Sequence, residues 1–360
     1  MTVVDLTGHV VIVTGAGRGL GRAHARSLSG RGASVVVNDL AREHAEAVTA
    51  EIEKDGGTAV ASSHSVADPA GGQAIVDLAL AAFGTVDAVV NNAGFLRNAD
   101  FEEQTPDTLA AQLNVHVAGP FFLTQAAWPV MRAKGYGRVV MTSSAGGLFA
   151  MGGQANYAAA KAAVYGLTKA LAFEGREHGI FVNTVLPHAN TEIRTHDPAM
   201  ATDPVRADAE RRWAARHGGH FKPGLREALR PARLPEAVAP LVAFLASPAC
   251  RQTGEAYAAG CGRFARVFVG ESSGWNAADP AAVDPDEVAG HLDAIRATDS
   301  YRIPDDLYAE IEFMAEATGL WAPGDQPVSP FAPTSGRTSA TMKPAIGRGR
   351  CAPRRDPGRA

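Results

Sequence analysis

Two spacings of apolar residues alternate along the first two-thirds of the chain. Short apolar runs that end in glycine or small polar residues are "HVVIVTG" (9–15), "SVVVNDL" (34–40), "TAVASSHS" (58–65), "VDAVVNNAG" (86–94), "GRVVMTSSA" (137–145) and "IFVNTVLP" (180–187). Between them lie segments with apolar residues every three or four positions: 22–32, 42–57, 69–84, 105–135 and 154–179. The runs predict buried strands and the longer segments predict helices. After Pro187 the alternation pauses. It returns with a helix in "EAVAPLVAFLAS" (236–247) and a last strand in "EAYAAGCG" (255–262). Strands alternating with helices of this length predict an α/β fold with a doubly wound parallel sheet. Such a sheet opens its binding crevice at the carboxyl ends of its strands. Residues 1–263 read as one domain, with 188–235 inserted as a lid over the crevice. Residues 264–321 read as a C-terminal helical extension, its best helix near 284–298. The Pro-, Gly-, Ser- and Arg-rich residues 322–360 read as a disordered tail.

Composition narrows the classes. The chain has 360 residues, 46% of them hydrophobic, and a formal net charge of −4. That balance argues against a nucleic-acid partner. Cys250, Cys261 and Cys351 have neither framework nor metal spacing, and His188, His196, His217 and His220 lack a ligand-spaced partner, so no metal is expected. The opening residues read as a first strand, and no apolar run reaches membrane-spanning length. The expectation is a soluble, cytoplasmic protein.

The first strand runs into "TGAGRGLG", Thr14 to Gly21. Glycines between a strand and a helix let the backbone turn sharply and approach a pyrophosphate seated on the helix N-terminus. Gly15, Arg18, Gly19, Leu20 and Gly21 are therefore candidate cofactor contacts in a Rossmann-like domain. The second strand ends at Asp39, 18 residues after Gly21. A carboxylate there accepts from ribose hydroxyls and repels a 2′-phosphate, or it is simply a turn residue or helix cap. Arg18 and Arg42 cut the other way, since either can pair with that phosphate. NAD is favoured over NADP. "NNAG" (91–94) ends the fourth strand and adds Asn92, Ala93 and Gly94.

The helix at 154–179 repeats one spacing: Tyr157 with Lys161, and Tyr165 with Lys169. Tyr157 lies in its first turn, near the crevice. Tyr165 is displaced by about 12 Å along the axis and roughly 80° around it, so the two cannot serve one site. The order of glycine segment, NNAG, Ser and YxxxK resembles the short-chain dehydrogenase/reductase family over about residues 5–263. That family places a serine thirteen residues before its tyrosine; here this lands on Ser144, whereas counting from Tyr165 lands on Gly152. The resemblance implies that Ser144, Tyr157 and Lys161 are catalytic and that Tyr157 and Lys161 also contact the cofactor. A phenol has a pKa of about 10; the ammonium of Lys161 is expected to favour its ionised form. Tyr165 and Lys169 are expected to be packing and solvated surface. Where the family commonly carries an asparagine, three residues before a glycine, this chain has His116. It either joins a proton relay or only packs. Asn114 is expected to face elsewhere.

Segments such as "NNAGFLRNADF", "AAWPVM" and "YGRVVMTSSAGGLFAMGGQANYAAAK" are similar to a subgroup, the (3R)-hydroxyacyl-CoA dehydrogenase units of peroxisomal multifunctional enzymes type 2. The resemblance implies an alcohol–ketone oxidoreductase acting on a 3-hydroxyacyl-CoA, and a homodimer or homotetramer. The lid carries eight basic side chains between Arg206 and Arg233 against Asp208, Glu210 and Glu227. These suit the phosphates of an acyl-CoA or form a solvated face, and Trp213 and Phe221 can line a pocket for a bulkier alcohol. A hydroxysteroid dehydrogenase is the alternative enzyme. A nucleotide-binding regulatory protein is the alternative outside enzymes, and a retained phenol argues against it.

Overall fold

The computed structural model describes residues 3–191, 193, 203–217 and 222–320. Its chain divides into two compact units, residues 1–310 and 311–360. In the first, eight strands form one sheet in the order β3-β2-β1-β4-β5-β6-β7-β8. These are β1 (Val10–Thr14), β2 (Ser34–Asn38), β3 (Thr58–Ser62), β4 (Ala88–Asn91), β5 (Gly137–Thr142), β6 (Ile180–Pro187), β7 (Ala256–Gly260) and β8 (Arg263–Val267). The first seven are parallel, as expected, and β8 returns antiparallel to β7. The sequence pattern did not predict β8, because "RFARV" mixes charged and apolar residues. Its hairpin turns through Cys261 and Gly262, at φ 53° and 74°. Two left-handed residues match the twist of paired strands, but the usual sign of such a turn is Asn-Gly, not Cys-Gly.

Alternate strand residues feed two cores. Val11, Val13, Val35 and Val37 point to one face and meet Leu28, Val48 and Val242. Val10, Ile12, Val36 and Val89 point to the other and meet Ile75, Leu123 and Met131. Helices α1 (Gly19–Ser29) and α2 (Arg42–Lys54) cover the first face. Helices α3 (Pro69–Phe83), α4 (Pro106–Leu113) and α5 (Gly119–Lys134) belong to the second. Alternation with both faces covered is why the strands read as nearly continuous apolar runs. The order reverses between β1 and β4, and a crevice opens there.

The segment predicted as one helix from 105 to 135 has a single π turn, Asn114–Ala118, between α4 and α5. A short helix, α6 (Ala145–Leu148), precedes α7 (Ala155–Gly175). Tyr157, Lys161, Val164, Thr168 and Ala172 form the buried stripe of α7, at the spacing of one helix face. The lid holds α8 (Pro204–His217) and α9 (Leu225–Leu229), and α10 (Ala239–Leu245) follows. The helix expected near 284–298 is two short ones, α11 (Pro285–Gly290) and α12 (Leu292–Ile295), parted at His291. A last helix, α13, spans Leu307–Ala317. His196, His220, Phe221 and the tail from 321 lie outside the described residues. No helix among the described residues is long and apolar enough to cross a membrane.

The second tyrosine–lysine pair departs from expectation. Lys169 is half-buried rather than solvated: its Nζ donates to the Asp305 carbonyl at 2.6 Å. Tyr165 is hydrogen-bonded to the backbone of Val269. Both therefore hold the extension against α7. An isolated helical pattern cannot reveal a partner about 100 residues away.

His24 on α1 is fully buried, and neither ring nitrogen has a hydrogen-bond partner. Burial pushes its pKa from 6.5 down to about 3. The folded value lies below the unfolded one, so the unfolded chain takes up the proton first. Stability from this group is intact above pH 6.5 and falls by about 1.4 kcal/mol per pH unit below it, until the folded value is reached. Urea melts at pH 7 and pH 5 should show a wild-type loss that exceeds that of His24→Leu by about 2 kcal/mol.

Candidate active site

The glycine segment joins β1 to α1 at the crevice. Gly15 has φ 60°, and a Cβ on it would lie 2.8 Å from the Ala93 Cα; one on Gly21 would lie 2.1 Å from the Gly15 carbonyl oxygen. Both contacts are with backbone, which cannot give way, so the sharp turn requires glycine at these two positions. Asn92 pins the turn from the end of β4: its Nδ2 donates to the carbonyls of Thr14 and Gly15, at 2.9 and 3.2 Å. The Thr14 hydroxyl accepts from the amides of Asn92 and Ala93, both at 3.0 Å. The result is a bare backbone wall along a cavity of about 450 Å³.

Gly15, Arg18, Gly19, Leu20 and Gly21 line this cavity, as do Asn92, Ala93 and Gly94. Asp39 lines its other end, with Oδ2 accepting from the Gly17 amide at 3.0 Å and Oδ1 from Ala41 at 3.1 Å. It is thus a turn residue and a wall of the cleft together. Arg42 pairs with Glu46 at 2.7 Å, one helical turn along α2. Asn38, His64, Ser65 and Val66 also line the cleft, at or just beyond the ends of β2 and β3. No motif marked them; their position beyond strand ends was the available signal.

The reactive side chains meet at the other end. Lys161 lines the cavity, 4% exposed, with Nζ donating to the Thr142 carbonyl at 2.6 Å. It stands 5.8 Å from the centre of the Tyr157 ring. The two neighbouring serines have different tasks. Ser143 is buried and its hydroxyl donates to the Lys161 carbonyl at 2.7 Å. Ser144 caps α6, accepting from the Gly146 amide at 3.0 Å, and is hydrogen-bonded to Tyr157. The π turn carries His116 inward, and π turns commonly mark functional positions in helices. The His116 ring meets the Tyr157 ring edge-on at 5.4 Å. Its Nε2 lies 2.8 Å from the Phe95 carbonyl and 3.4 Å from the Phe95 amide, while Nδ1 is buried with no partner among the described residues. Asn114 is exposed but lines the same cleft, contrary to expectation. The wider π turn does not carry it away as a regular α-helix would.

Burial governs the electrostatics. It pushes Lys161 down to about 7 and His116 well below its ordinary value, with the Lys161 charge adding to the second effect. Burial also raises Tyr157, and the Ser144 hydrogen bond only partly opposes it. Desolvation of the phenolate thus opposes the ionisation expected from Lys161 and an oxidised nicotinamide. Of the lid's basic side chains, three exposed ones on α8 pair with carboxylates. Arg211 and Arg212 both pair with Asp208, Arg212 also reaches Glu103, and Arg216 pairs with Asp100. Trp213 is buried, its indole N–H donating to the Gly152 carbonyl at 2.9 Å.

A backbone-lined cleft at the switch point, with Lys161 in its lining and the hydrogen-bonded Ser144 and Tyr157 next to that lysine though outside the lining, is a layout that suits a nucleotide-dependent oxidoreductase. Residues 9–200 match the profile of the short chain dehydrogenase family, and the chain belongs to that family. Its members are oxidoreductases that act on CH–OH donors and bind NAD(P). Among relatives, a short-chain type dehydrogenase/reductase of Mycobacterium tuberculosis is 40% identical over 76% of this chain and 90% of its own. Peroxisomal multifunctional enzyme type 2 of Mus musculus is 40% identical over 71% of this chain and 32% of its own, so this chain spans about a third of that relative. The full-length Drosophila melanogaster enzyme of that name has a TM-score of 0.68 at 28% identity, over 88% of this chain and 50% of that one. A short chain dehydrogenase of Mycobacterium avium has a TM-score of 0.65 at 31% identity, over 81% of this chain and 97% of that one.

The two serines differ in turnover. Ser143→Ala should cost about 1 kcal/mol in a denaturant melt and keep most turnover. Ser144→Ala should cost about as much by removing the α6 cap, and lose turnover by two orders of magnitude or so.

Proposed function

We propose that this chain is an NAD-dependent oxidoreductase that interconverts a secondary alcohol and a ketone, with a 3-hydroxyacyl-CoA as its substrate class. The observation that carries the reading is the proximity of three groups: Lys161 lines the backbone-walled cleft, the Tyr157 ring centre is 5.8 Å from its Nζ, and Ser144 is hydrogen-bonded to Tyr157. The glycine cradle fits a dinucleotide, since side chains at Gly15 or Gly21 would fill the approach its diphosphate needs. The dinucleotide, when bound, supplies the hydride acceptor or donor.

The chain's own residues supply the rest. Ser144 holds the substrate oxygen by a hydrogen bond. The Tyr157 hydroxyl moves the proton, taking it from the alcohol in oxidation and returning it to the ketone in reduction. Lys161, brought down to about 7 by burial, is a donor toward the nicotinamide ribose and adds a positive charge beside the phenol only in its protonated form. His116, with one nitrogen on the Phe95 carbonyl, holds the Tyr157 ring edge-on and neutral.

Two observations support NAD over NADP. Asp39 puts a carboxylate at the adenosine end, and Arg42 is engaged by Glu46. The thioester substrate is supported by the resemblance of segments 91–101, 126–131 and 136–161 to the (3R)-hydroxyacyl-CoA dehydrogenase units of multifunctional enzymes. A hydroxysteroid or other bulky alcohol is the second reading, favoured by the pairing of the lid arginines with carboxylates, which compete with a substrate phosphate for them.

Dehydrogenase assays with NAD and NADP against 3-hydroxyacyl-CoAs and hydroxysteroids test the proposal. Turnover on a thioester with NAD is expected, and none on any thioester removes the substrate claim. Tyr157→Phe should bind NAD normally and lose turnover; surviving turnover refutes the mechanism. Asp39→Asn keeps an acceptor for the loop and removes the charge, and should lower KM for NADP about tenfold. Because the phenol is raised above 10, wild-type alcohol oxidation should accelerate as pH rises through the alkaline range, while ketone reduction should not.

A further inference from the structure

Helix α8 of the lid reaches the active site through a chain of side-chain amides. Glu210 on α8 accepts from Asn98 Nδ2 at 2.9 Å. Asn98 Oδ1 accepts from Gln154 Nε2 at 2.9 Å. Asn98 and Gln154 are both 5% exposed. Gln154 immediately precedes α7, and its carbonyl accepts the Ala158 amide at 2.7 Å in the turn that carries Tyr157. Its remaining side-chain atom, Oε1, lies beside the turn at Gly146. The point where a Cβ on Gly146 would lie is 3.5 Å from that oxygen, 3.4 Å from Ser144 Oγ and 3.8 Å from Tyr157 Cε1.

The chain has a direction. A carboxylate only accepts, so Glu210 requires the nitrogen of Asn98 to face it. The Asn98 oxygen must then face Gln154, whose nitrogen answers it. Were either amide reversed, two like groups would meet and the run of hydrogen bonds would break. We infer that Glu210 is a positioning residue: docked on the loop at Asn98, it fixes the side chain of Gln154 through two amides, and with it the first turn of α7 that carries Tyr157, so that docking of α8 is linked to turnover. Trp213 on Gly152, Arg212 on Glu103 and Arg216 on Asp100 hold α8 on the same loops. This inference rests on the proposed roles of Ser144 and Tyr157.

A swap of charge and amide tests it. Asn98→Asp sets two carboxylates against each other, and kcat should fall at least tenfold at pH 8, with KM for NAD nearly unchanged. As pH falls and the two carboxyls share a proton, kcat relative to wild type should recover. The charged groups around the pair are Arg97 on the loop, the Asp100–Arg216 and Glu103–Arg212 pairs, and Asp208 and Arg211 on α8; the wild-type profile serves as their control. The double variant Asn98→Asp with Glu210→Gln restores an amide opposite a carboxylate and should return kcat to within about threefold of wild type. Failure of the second change to rescue, or a single-variant pH profile parallel to wild type, overturns the inference. A wild type without turnover on any alcohol or ketone refutes the functional reading instead. The docking is then read from melting temperatures, where the double variant must recover what Asn98→Asp loses, or the contact is not formed.

Discussion

Lys161 is a primary amine out of water, held by one neutral carbonyl, with no carboxylate paired to it among the described residues. Taking an ammonium into a protein interior costs several kcal/mol, and a single carbonyl does not offset that. The position survives because other parts of the molecule fix it. The buried stripe of α7 sets the helix, and Ser143 ties down the backbone carbonyl of Lys161 itself. The same water-poor surroundings raise Tyr157 and lower His116. Three titratable groups are thus biased toward their neutral forms within one small volume. Perturbation of this kind by burial is what a proton-transfer site requires and what an ordinary core avoids.

The closed end of the sheet handles buried charge in the opposite way. Asp87 accepts from the Val10 amide at 2.9 Å and pairs with Lys134. Arg138 is 3% exposed, yet its guanidinium donates to the carbonyls of Gly137, Gly179, Ser247 and Cys250 and lies over the rings of Tyr136 and Phe181. Charges there have many partners and hold the strands in register. At the open end, among the described residues, Lys161 has one hydrogen-bond partner and His116 Nδ1 has none.

Most of the fold was legible in the sequence because it is set locally. Each parallel strand is buried on both faces and reads as an apolar run, and each covering helix shows its stripe. The glycine turn and the choice of Tyr157 over Tyr165 followed from local spacing as well. What the sequence hid depends on distant partners. The pairing of the lid arginines needs Glu103 and Asp100, which lie more than a hundred residues earlier. The half-burial of Lys169 needs Asp305. The inward turn of His116 needs a π turn, which no residue preference announces. Gln154 and Asn98 carried no sequence signal because an amide is informative only once its partners are known.

Helix α7 joins two parts of the molecule that a sequence reader would treat separately. Its first turns present Tyr157 and Lys161 to the cleft. The residues eight positions later, Tyr165 and Lys169, grip the extension, and Phe173 packs on Tyr308. Removing the extension would therefore strip Tyr165, Lys169 and Phe173 of these partners on the same helix that carries Tyr157.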